Sequence, residues 1–237
     1  MQVGLAHFWP RGHNKNMRRE ALVSNQVYHV LTRSIAGFRV FSSSSNCRRF
    51  VNTLLFYRQE PCGIRFSRFA ESSVEIQKMY LADMKNRVSI VAYCLMPTHI
   101  HLILKQLAEN GISLFMKNCL ESFSKYFNTR YNRKGPLWES RFKSISVKTD
   151  DQLLHLTRYV HLNPVSAGIV EKPEDWDFSS YKKYLAVNKI KRPGDLCDWD
   201  GLLEIRPNDY KKFVEERINY QRQISKIKKQ LLDGYSG

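Results

Sequence analysis

Hydrophobic residues recur along this chain with two different periods, and each period predicts its own kind of element. Alternation of side chains around β-forming residues predicts strands at Gln26–Arg33 and Phe142–Val147. A proline-containing turn divides the most apolar part of the chain, which predicts a hairpin of two strands, Val88–Leu95 and His99–Lys105. The sequence therefore predicts four strands, two of them adjacent in a hairpin.

Apolar residues three and four positions apart predict helices before, between and after these strands. Asn46 is the predicted N-cap of the first helix, and acidic residues occupy the first turn of the helix that begins at Asp150. The order of strands and helices predicts an α+β fold, an antiparallel sheet covered by helices. The predicted helices are Cys47–Arg58, a weaker Val74–Asn86, Ser113–Asn132, Asp150–Asn163 and a basic Tyr210–Leu232.

Composition limits the class of protein and the kind of partner. The 237 residues are 43% hydrophobic, which is enough to bury a core and excludes wholesale disorder. Lys and Arg number 38 against 22 Asp and Glu, a formal charge of 38 − 22 = +16, and such a charge favours a polyanionic partner, nucleic acid above all. A basic protein with no nucleic-acid partner is the alternative.

Cysteine usage and hydropathy indicate where the protein works. The five cysteines are an odd number without a CxxC pair, which argues against a disulfide framework or a cysteine-based zinc site and fits a reducing cytosol. No apolar run approaches the roughly 18 residues that a membrane span needs, and the N-terminal residues lack the apolar segment of a secretory signal. We therefore expect a cytoplasmic protein without a membrane partner.

Two short motifs carry candidate chemistry. His99 and His101 are two apart in a predicted strand, so both imidazoles lie on one face and can converge on one divalent metal, unless they are simply polar surface groups. Tyr159 and Asn163 are four apart in a predicted helix and share a face, and Pro164 predicts that Asn163 lies at the helix end. The alternative is a core tyrosine followed by a capping asparagine.

Three segments follow one another along the chain: AYCLMPTHIHLIL, GPLWESRFKSISV and LTRYVHLNPVSAGIV. In this order they resemble the motifs of the REP-associated tyrosine transposases, which belong to the HUH (His-hydrophobic-His) single-tyrosine transposases. YHVLTRS near the N-terminus and WDFSSY (176–181) add to the resemblance, which covers roughly residues 20–185. It implies a ferredoxin-like antiparallel sheet of the HUH endonuclease type with a basic helical C-terminal extension.

The resemblance also implies an activity and a role for each motif residue. Tyr159 would be the nucleophile, and His99, His101 and Asn163 would bind a divalent metal, Mg²⁺ or Mn²⁺. The implied enzyme is a transposase that cuts and rejoins single-stranded DNA at hairpin-forming sequences through a 5′-phosphotyrosine. Thr98 stands where many relatives carry asparagine, and Ser166 where an arginine is common, but neither position belongs to this set.

Candidate DNA-binding residues lie outside that set. Arg141 and Lys143 alternate in a predicted strand, with Trp138 nearby as a stacking surface for unpaired bases or as an ordinary core residue. Arg18 and Arg19 lie in a predicted basic arm, residues 1–19, and could contact phosphates. The predicted division of the chain continues with a transposase domain, residues 20–185, and an extension, residues 186–237.

Two other functions compete with the transposase. One is a domesticated protein that binds single-stranded DNA without cutting it; the other is a metal-dependent phosphodiesterase in which water attacks in place of Tyr159. The residues leave the oligomeric state open between monomer and homodimer.

Overall fold

A four-stranded antiparallel sheet forms the centre of the protein. The computed structural model describes residues 21–60, 64–82, 84–186 and 195–233, with side chains described as far as residue 225. The strands pair in the order β2-β3-β1-β4, so β1 and β3 are the two inner strands. Their bounds are β1 Val27–Arg33, β2 Val88–Met96, β3 His99–Gln106 and β4 Lys143–Val147. All four predicted strands are confirmed within two residues, and with them the α+β class.

Helices cover both faces of this sheet. On one face, β-strand side chains such as Tyr28 and Leu102 form a core with α1 and α4; on the other, Val27 and Ile103 form a second core with α5 and α7. The helices are α1 Ser44–Tyr57, α2 Phe66–Glu71, α3 Val74–Ala82, α4 Gly111–Arg130, α5 Asp150–Ser166, α6 Tyr181–Tyr184, α7 Pro207–Glu215 and α8 Ile218–Asp233. The sheet therefore separates two apolar layers.

The strand register decides which polar side chains meet on the α5 face. In β1 and β3, Leu31 pairs with His101 and Arg33 pairs with His99. Residues directly opposite each other in an antiparallel pair project from the same face of the sheet. His29 lies two residues before Leu31 and therefore projects from that face as well.

The first helix begins earlier than its sequence pattern indicates, and its predicted N-cap is wrong. Ser43 is the N-cap, and its side chain accepts a hydrogen bond from the backbone N–H of Asn46 at 3.3 Å. Asn46 is buried and its Nδ2 donates to the carbonyl of Val40 at 2.9 Å. The run of serines before Asn46 offers several competing caps, and the tertiary contact of Asn46 decides between them.

Two predicted helix boundaries are also corrected. Pro164 does not end α5, which continues to Ser166. The basic helix predicted from Tyr210 is two helices, with a break at Glu216 and Arg217 between α7 and α8. Within the described residues, no helix is both long enough and apolar enough to cross a membrane.

Candidate active site

Two histidines on β3 form the centre of the candidate site, and both have a partner at Nδ1. The rings of His99 and His101 lie 5.0 Å apart at 78°. Nδ1 of His99 is 3.0 Å from Oγ1 of Thr98, and Nδ1 of His101 is 3.1 Å from Nε2 of His29. In each ring Nε2 is therefore the nitrogen that remains for another ligand, the arrangement that metal-binding histidines usually have.

Sequence reasoning missed His29, the buried partner of His101. Its ring stacks on that of His101 with centroids 5.3 Å apart and 13° between the planes. Alternation along β1 places His29 on a face but does not say which strand lies alongside, so only the register brings the two rings together. The YHVLTR segment that contains His29 was the available signal.

Burial keeps the three imidazoles of the site neutral at physiological pH. Desolvation lowers the pKa of His29 to about 4, and desolvation followed by the charge of Arg33 lowers the pKa of His99 to about 4. The pKa of His101 is lowered well below its usual value, first by burial and then by its neighbours His29, His99 and Arg33. A neutral imidazole is the form that binds a metal ion.

Tyr159 on α5 stands edge-on over these rings. Its ring centroid is 5.7 Å from that of His101, at 89°, and 6.2 Å from that of His29, at 81°. The residue keeps 39% of its surface exposed, so it lies at the mouth of the site rather than within the core. Burial of the phenol raises its pKa and outweighs the opposing effect of Arg33, so the hydroxyl is protonated at neutral pH.

Asn163 lies one turn after Tyr159, and its side-chain amide donates hydrogen bonds to backbone carbonyls of the helix. Nδ2 donates to the carbonyl of Tyr159 at 2.9 Å and to that of Val160 at 3.4 Å. Pro164 lacks the N–H that would donate to the carbonyl of Val160, so the side chain of Asn163 replaces a missing backbone donor. The oxygen Oδ1 is then the atom of Asn163 that could bind a metal.

Arg33, at the end of β1, is a second residue that sequence reasoning did not assign. It is exposed and lies opposite His99 in the register, and its positive charge acts on Tyr159, His99 and His101 alike. Its proximity to the tyrosine and both histidines puts a cation at the rim of the site. Alternation within VYHVLTR was again the available signal.

The donor chemistry fits the divalent metal that the sequence implies. Within the described ranges, no group of three or more His, Cys, Asp or Glu side chains is placed to hold a metal, and the candidate donors are two histidines and an amide oxygen. His99 and His101 offer neutral imidazoles with supported Nδ1 atoms, and Asn163 offers Oδ1. Thr98, which departs from the family pattern, supplies one of those supports.

The structure places the candidate DNA-binding residues in different surroundings, some exposed and one packed against the core. Lys143 opens β4 and Arg141 lies in the bend before it, both exposed. The Trp138 ring packs on Phe123 in the core under α4, and its Nε1 donates to the carbonyl of Leu120 at 3.3 Å, as the core alternative expects. Arg18 and Arg19 lie outside the described residues.

Comparisons with known proteins find transposases that are similar to this chain in sequence. The family model described as "Transposase IS200 like" matches residues 68–163. A putative REP-associated tyrosine transposase of Haemophilus influenzae is 32% identical over 125 residues, 47% of this chain and 66% of that protein. A REP-associated tyrosine transposase of Escherichia coli is 28% identical over 114 residues, 47% of this chain and 67% of that protein. The chain thus spans about two thirds of these relatives.

A solved structure extends the likeness to the fold. It is described as a REP-associated tyrosine transposase bound to a REP hairpin, and it matches with a TM-score of 0.51 and 17% identity over 81% of this chain and 99% of its own. The same sheet-and-helix arrangement is therefore present in both proteins. In sequence the chain is thus similar to the REP-associated tyrosine transposases, both in its overall matches and in its ordered motifs, and in fold it is similar to the solved structure.

Proposed function

We propose that this protein is a transposase that cuts and rejoins single-stranded DNA at hairpin-forming sequences, with Tyr159 as its nucleophile. One observation carries the proposal: the Tyr159 ring lies edge-on to His101 with centroids 5.7 Å apart, so a phosphate near the histidines is also near the tyrosine. A DNA hairpin as substrate rests on the solved relative, which is described as bound to a REP hairpin, and on the charge of +16. The reaction would take place in the cytoplasm.

The proposed cleavage is a transesterification. Oη of Tyr159 forms a bond to the backbone phosphorus while the bond from phosphorus to the 3′ oxygen breaks. A proton leaves Oη, and the released 3′ oxygen takes up a proton to become a hydroxyl. The DNA 5′ phosphate remains on the tyrosine. Because one phosphodiester replaces another, a 3′ hydroxyl can reverse the step and join strands without nucleotide hydrolysis.

His99, His101 and Asn163 would hold the divalent metal, Mg²⁺ or Mn²⁺. When bound, the ion supplies positive charge that polarises the phosphate under attack. His29 and Thr98 hold the two imidazoles through their Nδ1 atoms and so fix the direction of each Nε2. This support gives the site its geometry before the DNA arrives.

Arg33 would assist both the phosphate and the nucleophile. Its charge opposes the effect of burial on the pKa of Tyr159, which favours loss of the hydroxyl proton. A guanidinium also pairs with two phosphate oxygens at once, so Arg33 can orient the group that Tyr159 attacks.

A denaturing gel with labelled hairpin-bearing single-stranded DNA tests the proposal. With Mn²⁺, we expect label to migrate at the size of the protein. That adduct should be absent without the metal and absent in Tyr159→Phe, which keeps the ring but has no nucleophilic oxygen. The reversal should also be visible: an added strand with a free 3′ hydroxyl should be joined to the trapped DNA.

Two results would support the competing functions. Cleavage that survives Tyr159→Phe without an adduct would indicate attack by water, provided that rapid resolution of the adduct is excluded by quenching at short times. Binding without cleavage across several hairpins and both metals would indicate a DNA-binding protein that no longer cuts.

A further inference from the structure

An open cleft lies on the outer side of the layer formed by α1 and α4, across the sheet from Tyr159. Its volume is about 710 Å³, and its walls come from α1, α2 and α4. We call it the α1–α4 cleft; its lining includes Arg49, Tyr57, Phe66, Lys125, Tyr126 and Arg130. None of them belongs to the candidate active site, which occupies the opposite face.

Positive charge dominates this cleft. Four cationic side chains line it, and Glu121 is the one acidic residue among the lining residues that the structure describes. The cations are Arg49, Arg65, Lys125 and Arg130. Such a concentration of one sign in a concave surface attracts and holds anions.

Arg49 lies against two aromatic rings of the cleft. Its guanidinium carbon lies 4.3 Å from the ring centroid of Phe66 and 5.0 Å from that of Tyr126, so two aromatic rings flank the cation. Its Nε is buried and has no hydrogen-bond partner among the described residues. A guanidinium held against aromatic rings keeps its charge available to an anion in the cleft.

The aromatic rings in the cleft add a surface for planar groups. Tyr57 and Tyr126 are half-buried and line it, whereas Phe66 is buried beneath Arg49. Nη1 of Arg130 donates to the hydroxyl of Tyr126 at 2.8 Å. Cationic side chains that follow a phosphate backbone, interleaved with rings on which bases stack, are the usual construction of a site for single-stranded nucleic acid.

We propose that the α1–α4 cleft is a second binding site for single-stranded DNA, separate from the catalytic site. It binds backbone phosphates through its arginines and Lys125, and it stacks one or two unpaired bases on its rings. The inference extends the proposed function, because it gives the same enzyme a place to hold DNA that is not being cut.

Binding of a fluorescent dT₁₂ strand tests the proposal in the Tyr159→Phe background without metal, where no cleavage occurs. Tyr126→Ala should weaken the affinity roughly 5- to 150-fold, the usual cost of losing one stacked base, whereas Tyr126→Phe should keep it. Lys125→Glu should weaken binding and reduce the slope of log affinity against log salt by at least about 0.7. Unchanged affinity in Tyr126→Ala and Lys125→Glu would overturn the proposal.

Lys117→Glu is the matched control. Lys117 is exposed on the same helix as Lys125 but does not line the cleft. Lys117→Glu makes the same change in charge as Lys125→Glu. We expect it to cost much less affinity than Lys125→Glu. Equal losses in the two variants would mean that only the overall charge matters and would contradict a defined site.

Photocrosslinking locates the strand directly. A dT₁₂ strand that contains 5-iododeoxyuridine should crosslink to peptides of α1 and α4 that carry Tyr57 or Tyr126. Crosslinks confined to the peptide of Tyr159 would overturn the proposal. Thymidine monophosphate provides a second arm: if it binds the cleft more tightly than the strand does, the ligand is a free nucleotide and the proposal is wrong.

This test and the cleavage gel can fail independently. Adduct formation at Tyr159 with normal dT₁₂ binding by the cleft variants would leave the proposed function intact and remove only the second site. Loss of binding in the cleft variants, in a protein that forms no adduct on any hairpin, would support the second site and contradict the cleavage mechanism.

Discussion

His29 connects strand β1 to His101 and is the residue whose role is least visible in the sequence. The contact between Nε2 of His29 and Nδ1 of His101, at 3.1 Å, is buried, so no water competes for it. If His101 binds a metal through Nε2, its Nδ1 carries the proton and His29 accepts it. We therefore propose His29 as a positioning residue, which would act on a bound metal through His101.

We expect His29→Phe to lower the affinity for Mn²⁺ by about 10- to 100-fold, the usual cost of losing such a support. His29→Gln, which retains an acceptor, should recover part of the loss. Isothermal titration of the metal measures both, with Tyr159→Phe as the control that should bind Mn²⁺ normally. Normal Mn²⁺ affinity in a folded His29→Phe protein would show that His101 needs no such support.

At the scale of elements, helix α5, which carries Tyr159, continues past a proline that a regular helix disfavours. The carbonyl of Val160 lacks a backbone donor because residue 164 is proline, and Nδ2 of Asn163 lies 3.4 Å from that oxygen. Asn163 thus has a structural role that is independent of its proposed role as a metal ligand. The helix continues to Ser166 and keeps Tyr159 well inside a regular segment.

A double-mutant cycle separates these two roles. Asn163→Ala should reduce the free energy of unfolding by about 1 kcal/mol, because the side chain satisfies two carbonyls. In the Pro164→Ala background the loss should be smaller by about 0.5 kcal/mol, since the N–H of Ala can donate to Val160. Chemical denaturation measures the cycle, and equal losses in both backgrounds would contradict the backbone role. Any effect on Mn²⁺ affinity should be the same in both.

At the scale of the whole molecule, the C-terminal residues hold the helix that carries Tyr159. His161 on α5 is fully buried, and its two nitrogens lie 2.6 Å from the hydroxyl of Tyr210 on α7 and 2.6 Å from that of Ser180. Burial lowers its pKa to about 3, so the imidazole stays neutral and takes one proton-donating and one accepting role. Tyr210 and Val214 complete the core beneath α5.

We expect Tyr210→Phe to reduce the free energy of unfolding by about 1–3 kcal/mol, because it leaves a buried nitrogen of His161 unpaired. Tyr181→Phe is the matched control: Tyr181 packs in the same cluster, but its buried hydroxyl has no hydrogen-bond partner among the described residues. Removing that hydroxyl should cost nothing. Thermal unfolding measures both, and equal losses would mean that the hydroxyl of Tyr210 contributes nothing through His161.

Truncation after residue 195 tests the predicted division into a domain of residues 20–185 and an extension. The deletion removes Leu196 from the core on the α1–α4 side and Tyr210 and Val214 from the core beneath α5. Each fully buried apolar side chain contributes about 1.5–3 kcal/mol, so we expect the shortened chain to be aggregated or unfolded. Circular dichroism and gel filtration would show the loss; a folded, monodisperse product would support a separable extension.

The sequence by itself determined the four strands of this protein, most of its long helices and the pair of histidines on β3. Alternation and helical spacing are local properties, so the four strands, α4 and the shared face of His99 and His101 followed from the chain alone. Errors occurred where the choice was not local: Asn46 is drawn into a buried contact, and α5 continues past Pro164 because a side chain replaces the missing donor.

Only the tertiary structure decided which residues meet. The register of β1 against β3 puts His29 on His101 and Arg33 beside His99, and the packing of α5 brings Tyr159 over them. Likewise the cleft between α1 and α4 joins Arg49 to Tyr126, which are distant in sequence. Such pairings depend on how strands align and how helices pack. They could not be predicted from the sequence, because a local pattern contains no information about which distant residues will be in contact.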